Sequence, residues 1–412
     1  MRKVCVVVTA RPSYSRIKTA LDAIARNPEL GLQLVVGASA LLDRYGTAVR
    51  FIEEDGFSIA ARVYMVLEGE NLASMAKTTG LGLLELATVF DNLKPDVVVT
   101  IADRYETLAT AVAASYMNIP VAHVQGGEVT GSIDEKVRHA VTKLSNVHFP
   151  SSRPAADRLV RMGEDPSTVF VTGCPSVDLA AEVLRSPELD FDPFAKYGGV
   201  GEEVSLADGY VVVLQHPVTT EHEKARAHAL ETLVAVRDTG LPALWFWPNV
   251  DAGSDGTSAA IRSFRENERP KTIHFFKGMS PMDFLRLVAN SRCLVGNSSM
   301  GIRECAFLGI PVVNVGTRQQ GRDRGRNVLD VGYVESEIAG AIARQARSGR
   351  FPSDPLYGDG HAGERIAALL ASVPLPIEKR LDYERLDARA VPEERSEKEP
   401  QLHLVAGGRR GA

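Results

Sequence analysis

At 412 residues the chain exceeds what one ordinary core accommodates, and two domains of roughly 170 to 200 residues are expected. A hydrophobic share of 44% and a charged share of 24% are those of a globular protein in water and exclude fibrous and membrane-embedded classes. The net charge of −5 supplies no broad basic field, which speaks against nucleic acid as the main partner.

The apolar run 4–8 is the first predicted strand, and it leads into Thr9-Ala10-Arg11-Pro12-Ser13-Tyr14-Ser15. A strand that breaks at small, hydroxyl-bearing residues and restarts as a helix leaves backbone N–H groups facing outward, a seat for phosphate. Arg11 adds a guanidinium fork suited to phosphoryl oxygens. Further strands at 32–36, 96–101, 119–124, 147–149 and 169–171 alternate with helical patterns at 17–26, 73–93, 104–117 and 136–144. Apolar strands alternating with helices imply a parallel sheet covered on both faces, so residues 1–180 read as a doubly wound α/β, Rossmann-like domain.

Residues 181–208, rich in Pro, Gly and acids, read as a linker. The strand pattern restarts at 210–214, 243–247, 272–276, 293–295, 312–315 and 328–331, with helices at 223–237, 257–265, 281–289 and 299–308. Residues 209–358 therefore read as a second Rossmann-like domain, and Gly296-Asn297-Ser298-Ser299 forms its own phosphate seat. A helix at 362–372, within a closing segment 359–373, completes the fold. The charged, Pro-containing stretch 374–412 is expected to be a disordered tail. Ligands of open α/β sheets sit at the carboxyl ends of strands, so the two domains should face one central cleft that grips a diphosphate-bearing ligand.

Four cysteines, Cys5, Cys174, Cys293 and Cys305, lie far apart without zinc spacing and read as reduced, buried thiols. The run 4–8 is too short for a signal-peptide core and no window reaches a membrane span, so a cytoplasmic protein is expected. No metal site or cofactor is expected.

Polar groups collect at the strand ends. Asp103 and Arg104 follow the strand 96–101. Gln125-Gly126-Gly127-Glu128 follows the strand 119–124, its paired glycines allowing close backbone approach to a ligand. Asp134 opens the next helix and is equally placed to cap it. In the second half His216 sits at a strand end, able to donate to phosphate or to shuttle a proton. Asn249 either contacts a ligand or shapes a turn. Ser298 and Ser299 belong to the phosphate seat, and Glu304 either accepts ribose hydroxyls or is solvated. Arg318 suits a diphosphate, whereas Arg322, Arg324 and Arg326 are expected to be solvated or to order their loop.

The segments Arg11-Pro12-Ser13-Tyr14-Ser15, Gly69-Glu70, Asp103-Arg104, Gln125 to Asp134, Arg138-His139-Ala140, Gly173-Cys174-Pro175-Ser176, Gln215-His216-Pro217, Pro248-Asn249-Val250-Asp251, Gly296-Asn297-Ser298-Ser299 and Gly316-Thr317-Arg318 together resemble the hydrolysing UDP-N-acetylglucosamine 2-epimerases of sialic-acid and legionaminic-acid pathways. The resemblance implies a glycosyltransferase-B-like fold and a homo-oligomer. It also implies UDP contacts at Arg11, Ser15, Arg104, His216, Asn249, Ser298, Ser299, Glu304 and Arg318. The family reaction removes the C2 proton and expels UDP, and water then adds to the resulting glycal to give a free N-acetylmannosamine-type sugar. Candidate catalytic residues are Asp103, Asp134, Gln125, Glu128 and His216. The resemblance implies a carboxylate at position 125 and a His at position 40, where this chain has Gln125 and Ala40. An amide does not exchange protons at useful pH. A UDP-N,N'-diacetylbacillosamine 2-epimerase, a glycosyltransferase of the same fold and a sugar-nucleotide binder of low turnover are the alternatives.

Overall fold

The computed structural model describes residues 1–42, 48–67, 71–130, 133–248 and 251–382. Its first sheet comprises β1 (Arg2–Val8), β2 (Leu30–Gly37), β3 (Ile59–Val63), β4 (Val97–Ile101), β5 (Val121–Val124) and β6 (Val147–Phe149). The second comprises β7 (Val211–Leu214), β8 (Ala243–Phe246), β9 (Ile273–Phe276), β10 (Cys293–Gly296), β11 (Val312–Val315) and β12 (Val328–Val331). All neighbouring strands pair in parallel, in the orders β3-β2-β1-β4-β5-β6 and β12-β11-β10-β7-β8-β9. The chain thus doubles back between β1 and β4 in one sheet and between β7 and β10 in the other, which places a crevice at each pair of strand ends.

Central strands are continuous Val/Ile/Leu runs because both faces are covered. Every residue of β4, β5, β7 and β10 is buried, and each fully buried aliphatic side chain contributes roughly 1.5–3 kcal/mol. The first sheet packs Val4, Val6 and Val99 with Leu21 and Ile24 of the helix Lys18–Arg26. On the second sheet Val211, Val213, Trp245 and Val295 pack with Leu233 and Ile261.

The expected strand 169–171 is absent: Val169 makes one isolated bridge to His148, and no ladder follows. The strand β3 went unread because its burial alternates, as befits a sheet edge. The helix expected over 299–308 is broken into a tight turn, Ser299–Gly301, and a short helix, Glu304–Leu308. At that break the Arg303 side chain turns inward and is 1% exposed.

The segment between the sheets carries a helix, Pro193–Tyr197, and Leu189, Phe194, Tyr197 and Val204 pack into a cluster with Val212, Phe246 and Phe276. The helix Ala362–Ser372 returns to the first sheet, where Ile366, Ala367 and Leu370 join its core. Asp178 accepts from the backbone of Ala362 and Gly363 at 2.9 and 2.7 Å and from Thr19 Oγ1 at 2.8 Å, fastening that return.

The first residues of the expected disordered tail are placed against the fold. Leu375 packs on the first core, and Lys379 Nζ donates to Thr142 O at 2.9 Å and pairs with Glu164. The remainder of that tail, 383–412, lies outside the described residues. All four cysteines are buried and free. Among the described residues no helix is long and apolar enough to cross a membrane.

Candidate active site between the two sheets

The two crevices face each other. Arg11, Ser15, His216, Ser298, Ser299, Glu304 and Arg318 line one cavity of ≈ 820 Å³, open solvent included. Its far end is apolar, formed by Phe246, Met279, Pro281, Phe284 and Leu285. The sequence reading missed this end, whose residues look like ordinary core.

The ends of β7 and β10 are welded by a reciprocal pair: His216 N donates to Asn297 Oδ1 and Asn297 Nδ2 donates to His216 O, both at 2.8 Å. Burial, reinforced by Arg318, Arg11, Arg104 and Arg16, holds the His216 imidazole well below its ordinary pKa, hence neutral. Arg318 Nη1 and Gln319 Nε2 both donate to Asn297 O, at 3.3 and 2.9 Å, which fixes the Arg318 loop on the rim.

Ser299 Oγ accepts from Arg16 Nη2 at 2.7 Å and from Arg303 Nη2 at 2.8 Å. With both acceptor positions filled, the hydroxyl of this cavity-lining residue keeps its proton for a further acceptor. Among the described residues Glu304 Oε2 has no hydrogen-bond partner, and Arg303 Nε stands 3.9 Å from it.

Deeper in, the ends of β4 and β5 and the helix Asp134–Leu144 build a charged cluster. Arg138, fully buried, pairs with Asp103 and donates to Glu135 Oε2 at 2.6 Å and Glu128 O at 2.7 Å. Arg16 stands 3.7 Å and Arg322 3.9 Å from the Asp103 carboxylate. Glu128 is clamped by Arg322 at 3.0 Å, Arg303 at 3.1 Å and Ser151 Oγ at 3.0 Å. Arg322 is therefore neither solvated nor a mere loop-orderer: it is 4% exposed and bridges the two halves.

Burial alone would raise the Asp103 carboxyl, yet Arg138, Arg16 and Arg322 outweigh it and hold Asp103 well below the carboxylate range. Glu128 is likewise held down, burial being overcome by Arg322, Arg303 and Arg138. Asp134 goes the other way. Burial, then the Asp103 charge, raises it to about 6, only partly opposed by Arg318 at 3.9 Å. Neighbouring carboxyls are thus shifted in opposite directions.

Asp134 is the first residue of its helix rather than its cap. Gln125 Nε2 donates to Cys174 Sγ at 2.9 Å, and Gln125 Oε1 lies 3.5 Å from Arg303 Nη1. Ala40 is fully buried in the first core. Arg104 forks onto both oxygens of Glu106 at 3.1 and 3.2 Å and reaches Asp251 of the other half at 3.1 Å, so these carboxylates hold its guanidinium. Asn249 lies outside the described residues, as do Gly69, Glu70, Gly131 and Ser132. Among the described residues no cluster of three or more His, Cys, Asp or Glu is built to hold a metal ion.

Arg138 stands in a segment that carries the family resemblance but is given no role there, and neither Arg16 nor Arg303 is read from the sequence as part of the site. Arg138 follows Asp134 by four positions on one helix face, a spacing that could have revealed it.

A family profile described as UDP-N-acetylglucosamine 2-epimerase matches residues 22–371. A UDP-N,N'-diacetylbacillosamine 2-epimerase (hydrolyzing) of Legionella pneumophila is 33% identical over 91% of this chain and 97% of its own length. A UDP-N-acetylglucosamine 2-epimerase of Neisseria meningitidis is 28% identical over 90% and 95%. Among solved structures, the Methanocaldococcus jannaschii UDP-GlcNAc 2-epimerase in complex with UDP-GlcNAc and UDP superposes with a TM-score of 0.72 at 19% identity, covering 89% of this chain and 99% of that one. This likeness shows the shared glycosyltransferase-B-like pairing of two Rossmann-like domains. The profile match together with the 33% identity over nearly the full length of both sequences establishes that the chain belongs to the UDP-N-acetylglucosamine 2-epimerase family.

Proposed function

We propose that the protein is a hydrolysing 2-epimerase that converts a UDP-2-acetamido sugar to UDP and the free sugar inverted at C2. The observation that carries this reading is the pairing of a permanently ionised Asp103 with an Asp134 raised to about 6, beside a cleft lined with phosphate-binding groups. Departure of UDP builds positive charge at C1, which acidifies the C2 proton enough for a weak base, and the Asp103 carboxylate is placed in the role of that base. The C2–H electrons form the C1=C2 bond as the C1–O bond breaks onto the diphosphate.

The leaving diphosphate gathers Arg11, Arg318, the neutral His216 imidazole and the Ser298 and Ser299 hydroxyls. Asp134, in its neutral form, then protonates the glycal at C2 from the opposite face, and water adds at C1 and gives its proton to the Asp134 carboxylate so formed, while Asp103 returns the abstracted proton to solvent. The apolar end at Phe246, Met279 and Phe284 suits the uracil, and Glu304 suits the ribose hydroxyls. In this scheme Gln125 and Glu128 exchange no proton; they hold Arg303 and Arg322 in place.

The test is turnover of UDP-N-acetylglucosamine in deuterated buffer, followed by NMR. Free N-acetylmannosamine carrying deuterium at C2 is expected, and Asp134→Asn should lower kcat by at least ~10²-fold while UDP affinity holds. UDP release only in the presence of an acceptor would instead indicate a transferase. The higher identity to the diacetylbacillosamine enzyme, 33% against 28%, favours UDP-N,N'-diacetylbacillosamine as the second substrate to assay.

A further inference from the structure

His123, on β5, is fully buried and does not line the cleft. Its Nε2 lies 2.9 Å from the carbonyl oxygen of Ala102, the residue before Asp103. A carbonyl only accepts, so Nε2 carries the proton. On the other side Thr142 Oγ1 lies 3.3 Å from Nδ1, and in this tautomer the hydroxyl is the donor. Thr142 stands on the helix Asp134–Leu144, two turns beyond Asp134 and one beyond Arg138.

The Ala102 carbonyl matters because of where the backbone is. Ala102 has φ +61°, the left-handed region that residues with a Cβ avoid. Its N–H is tied to Val124 O at 2.8 Å and its carbonyl to His123, so both sides of the bend are pinned to β5. The bend turns the chain out of β4 and into Asp103, whose carboxylate lies 3.7 Å from the cleft-lining Arg16. Gly126 completes the fit, since a Cβ there would lie 2.9 Å from His123 Nδ1.

We propose that His123 is a positioning residue: one neutral imidazole, donating to Ala102 O and accepting from Thr142, sets the aim of Asp103 relative to the helix that carries Asp134 and Arg138. The inference rests on the reading that these carboxylates move the protons at C2. The surroundings keep the ring neutral. Burial pushes it down to about 3 against the Ala102 carbonyl, with His148 on β6 and Arg138 on the helix adding to the depression and Asp103 opposing it.

The experiment compares wild type with His123→Leu, His123→Gln and Thr142→Val, measuring UDP affinity by calorimetry, kcat by UDP release and fold by thermal melting. His123→Leu should lower kcat by about 10²-fold, as displacements near 1 Å do, with UDP affinity and KM within about threefold. His123→Gln, whose amide donates from the place of Nε2, should recover much of the loss, and Thr142→Val should show a smaller one. Folded His123→Leu with kcat near wild type, or with binding and turnover lost together, would overturn the proposal. If His123→Leu does not fold, ¹⁵N spectra of the wild-type imidazoles decide: a neutral Nε2–H tautomer from pH 5 to 8 is expected, and a ring that titrates there or carries its proton on Nδ1 overturns it. Wild type that binds UDP yet turns over no UDP-2-acetamido sugar sinks the functional reading itself, whereas active wild type with an equally active His123→Leu sinks only the positioning role.

Discussion

The two sheets share one strand order but bend their strand ends by different means. In the first, the turns after β2, β4 and β5 place Ala38, Ala102 and Gln125 at φ +49°, +61° and +68°. In the second, the turns at β10 and β11 use Gly296 and Gly316, at φ +121° and +82°. The glycines sit where a side chain has no room: a Cβ on Gly296 would meet Leu214 O at 2.2 Å, and one on Gly316 would meet the Tyr333 ring at 2.1 Å. The first sheet has room but accepts strain, held by hydrogen bonds such as the one from His123 to Ala102. The half with the arginine-bound carboxylates thus holds stressed backbone, and the half with most of the groups proposed to bind phosphate turns on glycines that feel no stress.

That contrast breaks first at Gly296. Gly296→Ala forces its Cβ against the backbone of β7 and should cost roughly 3 kcal/mol or more, read as a lower thermal midpoint together with weakened UDP binding. An unchanged midpoint would mean the crevice deforms freely.

Asp134 sharpens the contrast from the other side. Its carboxyl is raised from 3.8 to about 6, so the native state holds this proton more tightly than the unfolded chain does. Its contribution to stability is complete below about pH 4 and is lost as pH rises to about 6. Asp134→Asn removes that loss and should stabilise the protein at pH 7 by roughly 1–3 kcal/mol while suppressing turnover. Melting curves of both proteins from pH 4 to 8 should converge at the acid end. Parallel curves would refute the assignment.

The mildest effect belongs to Ala102→Gly, which removes the Cβ penalty and should add at most about 1 kcal/mol of stability. Turnover should fall a few-fold as Asp103 gains freedom. A rise in both would show that the bend serves no positioning purpose.

What could be read from residues alone follows from how each signal is encoded. Strands such as β4 and β7 are local apolar runs and stood out, whereas β3 alternates at an edge and the bridge at Val169 lacks the neighbours that make a ladder. Carboxylates at strand ends were legible because strand ends are. The arginines that set their charge were not: a buried guanidinium and a solvated one are spelled alike, and Arg303 meets Glu128 across 175 positions. The strand-end position of Glu128 marked it as a candidate proton carrier, whereas its clamp by Arg303 and Arg322 has no local signature in the sequence.

The return of the helix Ala362–Ser372 to the first sheet has a consequence for synthesis. Ile366 and Leu370 complete a core begun by Val4 and Leu21, so the amino-terminal lobe leaves the ribosome with an apolar trough uncovered. That trough closes only once the helix Ala362–Ser372 has emerged, so the amino-terminal lobe completes its core after the second sheet has been made.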